Sequence, residues 1–308
     1  SYEENASRVL VPYVIPPGIE REQSYCGTQV FQINEQALTM KAVGLQDGDA
    51  RAVYKSTSYD LRQFKRLKMF VHAEDVEYSG SLKKGDVTVF LRLGSDFTEN
   101  YYEYEIPVEI TPWGVGRDST RIWPVANRLD IALDSLVSIK QKRNIAVRGG
   151  AHDNNLVPYK EYLDNGDRIT VVGMPNLANV TTIMIGVRNP KKENLNDGDD
   201  MLPKSVEVWV NELRLTGFND KSGFAALARA RLNLADLGDI TVSGTYSTPG
   251  FGSLEQSVTQ RKQETIYTID VATNIDGGKV LFPETWNVKI PVHYDYSLNT
   301  NFTENNPL

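Results

Sequence analysis

From Phe224 onward, apolar side chains recur at every second position. In 240–246, Ile240, Val242, Gly244 and Tyr246 alternate with Thr241, Ser243 and Thr245. In 286–298, Trp286, Val288, Ile290, Val292, Tyr294, Tyr296 and Leu298 share one face. Asn287, Lys289, His293, Asp295 and Ser297 share the other. Side chains alternate faces along a strand, so each segment is apolar on one side and hydrophilic on the other. Segments of about ten residues with this dyad period suit lipid outside and a polar lumen inside. The pattern assigns Ile240, Val242, Tyr246, Val288, Ile290, Val292, Tyr294 and Tyr296 to lipid. It assigns Arg229, Arg231, Lys289, His293 and Asp295 to the lumen.

Four strands are expected in this region, at 224–234, 240–246, 265–275 and 286–298. The first is rich in Ala, Leu and Arg, which are good helix formers, so helix is its rival. Pro291 interrupts the last, as a weakness or a bulge. Four strands do not close a barrel, and an open edge is not tolerated in hydrocarbon. Either they belong to a larger barrel, or they form a soluble sheet that needs a second layer.

The preceding region reads differently. Residues 1–27 form an extended, Pro-rich entry, with Pro12, Pro16 and Pro17 disfavouring helix. Residues 28–218 carry short two-faced segments at 51–55, 67–73, 86–93, 101–106, 182–188 and 206–210. Gly-, Asp- and Asn-rich turns separate them, as in a sandwich or jelly roll. One helix is expected over 127–140, N-capped by Asn127. In 206–215 the valines alternate, but Leu213 and Leu215 are out of phase, which predicts a bulge at Asn211 and Glu212. Trp209 faces away from the valines, either as a docking residue between sandwich and barrel or as core of a second layer. A polar stretch at 219–223 separates this region from barrel strands over 219–308. The fold class expected is mainly all-β: an antiparallel jelly-roll-like (galactose-binding-like) β-sandwich with one helix, then antiparallel strands of a large outer-membrane β-barrel.

Composition narrows the chemistry. The net charge of −7 over 308 residues argues against nucleic acid as a partner. A single cysteine, Cys26, excludes an internal disulfide and a Cys cluster for zinc. No apolar run is long enough for a transmembrane helix, a test to which barrel strands are invisible. No signal peptide opens the chain, so in an exported protein Ser1 is a processed end or a cut within a longer polypeptide. His72, His152 and His293 are scattered, His72 as an ordinary surface or interface residue, and no catalytic set forms; no enzyme activity is expected. No cofactor is expected beyond a structural calcium, for which Asp47, Asp49, Asp197 and Asp199 on Asp-Gly turns are the ligands, unless these residues only make turns. Trp113, Trp123, Tyr101, Tyr102 and Tyr104 offer stacking faces for a sugar, or packing.

Several stretches, including 11–22, 34–38, 47–55, 61–74, 206–215 and 235–238, resemble the SprA/Sov family. That family is the outer-membrane translocon of the type IX secretion and gliding-motility system of Bacteroidetes. The resemblance covers most of the chain. It implies an internal piece of a very large polypeptide with one wide barrel and soluble β domains inserted between its strands. It also implies a conduit for folded proteins in the outer membrane. The implied partners are a PorV-type outer-membrane shuttle, a periplasmic plug protein, secreted cargo with a C-terminal sorting domain, and outer-membrane lipid. The rival from another class is a soluble carbohydrate-binding β-sandwich module.

Overall fold

A computed structural model describes residues 2–3, 11–21, 23–26, 29–32, 36–76, 82–192, 199–218, 223–252, 255, 261 and 264–303. The chain divides into two compact units, Ser1–Phe218 and Asn219–Leu308.

The first unit runs through β1 (Tyr2–Glu3), β2 (Gln23–Cys26), β3 (Gln29–Gln32), β4 (Gln36–Leu45), β5 (Ala50–Tyr59), β6 (Phe64–Asp75), β7 (Thr88–Gly94) and β8 (Tyr101–Pro107). Then come a one-turn helix α1 (Ser119–Ile122), β9 (Leu129–Ala132) and the long helix α2 (Leu133–Arg148). The unit ends with β10 (Tyr159–Tyr162), β11 (Arg168–Val172), β12 (Val180–Arg188) and β13 (Lys204–Phe218). A five-stranded sheet has the order β1-β4-β13-β6-β9, and a six-stranded sheet the order β10-β11-β8-β7-β12-β5. β2 and β3 pair as a separate hairpin, and the ladders are antiparallel throughout.

Alternation along the strands decides what lies between the two sheets. Met69, Val71 and Ala73 of β6 and Val206, Val208 and Val210 of β13 meet Val89, Leu91 and Leu93 of β7 and Tyr102 and Tyr104 of β8. Removing this apolar surface from water is the main favourable term in folding. Leu133, Leu136 and Ile139 of α2 join the same core. The helix starts six residues after the expected N-cap. Asn127 instead sits in a 3-10 turn, where its side chain exchanges hydrogen bonds with the backbone of Glu109 (2.6 and 2.8 Å). Leu129 to Ala132, the expected first helical turn, pairs with β6 as β9. The bulge is present in β13: its ladder with β6 slips between Asn211 and Arg214, and Glu212 takes a left-handed φ of 55°.

The five-stranded sheet is buried on its second face as well. Val11 and Tyr13 of the Pro-rich stretch pack there with Phe70, Ile122, Trp123 and Trp209. Tyr13 meets both indoles at a ring separation of 5.9 Å. Trp209 is fully buried and donates from Nε1 to Glu207 (2.9 Å). Of its two expected roles, docking residue is therefore corrected to core residue. His72 is likewise fully buried, not a surface residue: its ring lies 4.0 Å from that of Trp209, and its Nδ1–H donates to the Ile122 carbonyl (2.8 Å).

The second unit is a meander of β14 (Ala225–Asn233), β15 (Gly238–Ser247), β16 (Glu264–Asp276) and β17 (Pro291–Thr303), each hydrogen-bonded to the next. A short helix α3 (Gly277–Leu281) and a 3-10 turn at Glu284–Trp286 join the last two strands. The segment with helical propensity, β14, is a strand. Among the described residues no sheet closes into a barrel.

Candidate functional site

The register of the meander fixes which side chains share a face, because directly paired residues in an antiparallel ladder point the same way. Three rows run unbroken across the sheet: Leu232–Ile240–Thr273–Tyr294, Ala230–Val242–Val271–Tyr296 and Ala228–Gly244–Ile269–Leu298. Tyr246 pairs with Tyr267 on this face, and Ile275 with Val292. The intervening rows are polar: Arg229–Ser243–Asp270–Ser297, Arg231–Thr241–Ala272–Asp295 and Asn233–Asp239–Asn274–His293. The two faces therefore differ in chemistry across all four strands, with Leu227 and Ile266 the main departures on the polar side.

Among the described residues of the second unit, none covers the apolar face. Val242, Tyr246, Ile269, Val292, Tyr294, Tyr296, Leu298 and Phe302 are exposed, and Ile240 is half-buried. The polar face carries its own contacts. His293 lies 2.6 Å from both Asn274 Oδ1 and Asp295 Oδ2, Ser297 donates to Asp270 (2.6 Å), and Arg231 pairs with Asp239 (3.4 Å). Arg229, Arg231, His293 and Asp295 lie on this face together. Ile240, Val242, Tyr246, Val292, Tyr294 and Tyr296 lie on the apolar one.

Val288, Lys289 and Ile290 belong to neither face, a correction to the expected strand. β17 begins only at Pro291, where the missing N–H is tolerated at a strand start. The preceding segment is irregular: Asn287 has a φ of 46°, Ile290 donates to the Asp276 carboxylate (3.0 Å), and its carbonyl accepts from Gly277 (2.7 Å).

In the first unit a different constellation emerges. On the outer face of the six-stranded sheet, Arg92, Glu103, Glu105, Arg168 and Arg188 form a ladder of alternating charge across β7, β8, β11 and β12. Arg92 and Arg188 both hold Glu103 (2.5 and 3.0 Å); Arg188 and Arg168 both hold Glu105, which also accepts from Thr88 (2.5 Å). Burial alone would raise the Glu103 carboxyl, but Arg188 and Arg92 outweigh it and hold it below the usual carboxylate range. Burial would lower the Arg188 guanidinium, and the two glutamates raise it instead. Gly186 permits this floor: a Cβ there would stand 2.3 Å from the Phe90 ring, over which the Arg188 guanidinium lies at 4.6 Å. Sequence reading missed the ladder. Its only signal is an Arg or Glu at the polar phase of separate strands, and their pairing is non-local.

The expected sugar platform is corrected. Trp123 is buried and donates to the Val14 carbonyl (2.8 Å), Trp113 donates to Asp75 (3.1 Å), and Tyr102 and Tyr104 face the core. Only Tyr101 looks outward, with the Arg92 guanidinium 3.8 Å above its ring. Among the calcium candidates, Asp197 lies outside the described residues. Asp47 accepts from the Lys192 backbone (3.4 Å), and Asp199 accepts from Met201 (2.9 Å) and, through its carbonyl, from the Lys192 ammonium (2.8 Å). Asp49 has a guanidinium, Arg51, at 4.0 Å. Among the described residues no group of three or more His, Cys, Asp or Glu could hold a metal ion. No helix among them is long and apolar enough to cross a membrane, which says nothing about strands.

A family model described as motility related/secretion protein, SprA_N, matches residues 1–308. The chain belongs to the SprA_N family. The resemblance read from the sequence holds over the full length of this SprA_N chain, and its function is related to motility and secretion. No curated protein matches it.

Proposed function

We propose that the chain is a structural, non-enzymatic part of an outer-membrane channel that exports folded proteins in type IX secretion and gliding motility. Its second unit contributes barrel wall, and its first unit is a jelly-roll-like domain that caps, braces or gates the passage. The observation that carries this is the exposed apolar face of the meander, backed by a mainly polar one. Tyr267 and Ile275, at opposite ends of that face, are roughly 27 Å apart along β16 at about 3.4 Å per residue. Tilted by about 40°, that span gives roughly 20 Å of height, close to the apolar band of about 25 Å in outer-membrane barrels. Aromatic rings gather near both ends: Phe224, Tyr246, Tyr267 and Phe302 at one, Phe282 and Trp286 at the other. Interfacial girdles have that arrangement. In this reading Arg229, Arg231, His293 and Asp295 keep the lumen wet. The partners are a PorV-type shuttle, a periplasmic plug protein and cargo with C-terminal sorting domains. The soluble carbohydrate-binding alternative loses support because its aromatic platform is spent in packing.

The test is site-specific labelling of this segment within its complete barrel in bilayers, with Cys26 replaced by serine. A fluorophore at position 296 or 269 should be quenched by a quencher carried on the acyl chain. One at 295 or 270 should be quenched only by aqueous iodide. Equal iodide quenching at all four sites would refute the wall assignment.

A further inference from the structure

Above the Arg–Glu ladder, the outer face of the six-stranded sheet opens into a hollow of about 1060 Å³. Eight basic side chains line it against three acidic ones, although the whole chain carries a net charge of −7. Cations gather here against the sign of the molecule. The three arginines of the floor are committed to Glu103 and Glu105. The excess lies with Lys83, Lys191 and Lys192 on the rim, since Lys84 pairs with Glu109 (2.8 Å). Lys83 and Lys191 are exposed and make no ion pair among the described residues, and Lys192 reaches only the Asp199 carbonyl. The acid beside them, Asp86, is held by the Lys83 backbone amide (2.9 Å) and by Lys204 (3.5 Å). A concave wall lined by one sign of charge focuses potential into the hollow and concentrates counterions there.

We propose that this hollow binds a saccharide carrying two or more phosphate groups. Several negative charges are needed to balance the rim. Phosphate is favoured over carboxylate because the flat guanidinium forks that match a carboxylate are already occupied, whereas lysine meets phosphate as a point charge. A hydrophilic scaffold is favoured because most of the lining side chains are charged and Tyr162 presents an exposed ring to one side. An acidic peptide is disfavoured: the floor is made by β7, β8, β11 and β12, interior strands whose backbone groups are spent in the ladder, and the edge strand β10 reaches the hollow only through Lys160 and Tyr162. The shared chemistry is that of a free sugar bisphosphate and of a phosphorylated lipid headgroup. The proposal stands independently of the channel reading, since every lining residue belongs to the first unit.

The experiment is calorimetric titration of the full chain in detergent micelles. The probes are fructose 1,6-bisphosphate for the free source and lipid A in mixed micelles for the lipid source. The K83E/K191E variant, altered only at exposed rim positions, should weaken binding by about tenfold or more, the equivalent of ~1.4 kcal/mol. K41E, the same kind of charge change on β4 outside the hollow, should leave binding intact. Binding of lipid A alone, lost in K83E/K191E, assigns the lipid source; equal binding of both probes assigns the free sugar chemistry as sufficient. Four results would overturn the proposal: neither probe binds, inorganic phosphate binds as tightly as the bisphosphate, K41E weakens binding as much as K83E/K191E, or a polyglutamate peptide binds where the sugar phosphates do not.

Discussion

Lys140 lies on the buried side of α2 and donates to the Pro175 carbonyl (3.1 Å). Burial, with Arg143 adding repulsion, pulls its ammonium down from 10.5 to about 8. The folded protein therefore releases a proton near pH 8 that the unfolded chain keeps until about 10.5. Stability contributed by this site is lowest below pH 8 and rises as pH climbs through that window. After discounting for solvent contact, the rise is about 1–2 kcal/mol. Denaturant titrations across the window should show it in the native chain and not in K140M, which should also be the more stable protein at neutral pH. Trp209 makes the opposite case. Truncating it to alanine should cost about 3–5 kcal/mol in the same titration, because the cavity opens among Tyr13, His72 and Trp123. An effect below 1 kcal/mol would mean the indole is not core. At this scale the sequence was half legible. Alternation placed Trp209 opposite the valines correctly, but whether that face meets water depends on the segment around Tyr13, which is remote along the chain.

Elements were legible where one face is buried or greasy along the whole strand. β14 is a strand despite its helix-forming residues because its period of two matches β15 row for row, and a sheet uses that period where a helix would scatter it. α2 was recognised but begins late: Leu129 and Ile131 also satisfy a strand period, and β6 offered an edge for them to pair with. β17 starts at Pro291 because proline removes a ladder donor, and the three residues before it turn away. The faces of the meander make a paired prediction. Y296D and I269D, each placing a carboxylate on the apolar face, should abolish detergent-resistant folding of the membrane-inserted protein, read as loss of protease protection. N299D and T241D, on the opposite face, should preserve protection. Equal sensitivity on both faces would argue against a two-sided environment.

For the molecule as a whole, the division after Phe218 has a direct consequence. The first unit contains two buried clusters of its own, one between the sheets and one under the Pro-rich stretch. Residues 1–218 should therefore fold alone in aqueous buffer with one cooperative thermal transition, whereas the full chain should need detergent to stay monodisperse. Aggregation of the 1–218 fragment without detergent would overturn this. The change of pattern after the polar stretch at 219–223 was readable along the chain. The charged hollow was not readable, because Arg92, Glu103, Arg168 and Arg188 come from four strands that meet only in three dimensions.

Among the described residues, β14 and β17 each leave one flank of the ribbon with amide and carbonyl groups that no neighbouring strand matches. In an oily phase each such group is a penalty of several kcal/mol. The four-stranded ribbon therefore gains nothing by dissolving into a bilayer alone, however greasy its outer surface. Under the wall assignment, zipping of both margins to adjacent strands has to precede or accompany entry. On that assignment, delivery of this segment to the membrane is an assembly problem before it is a partitioning one.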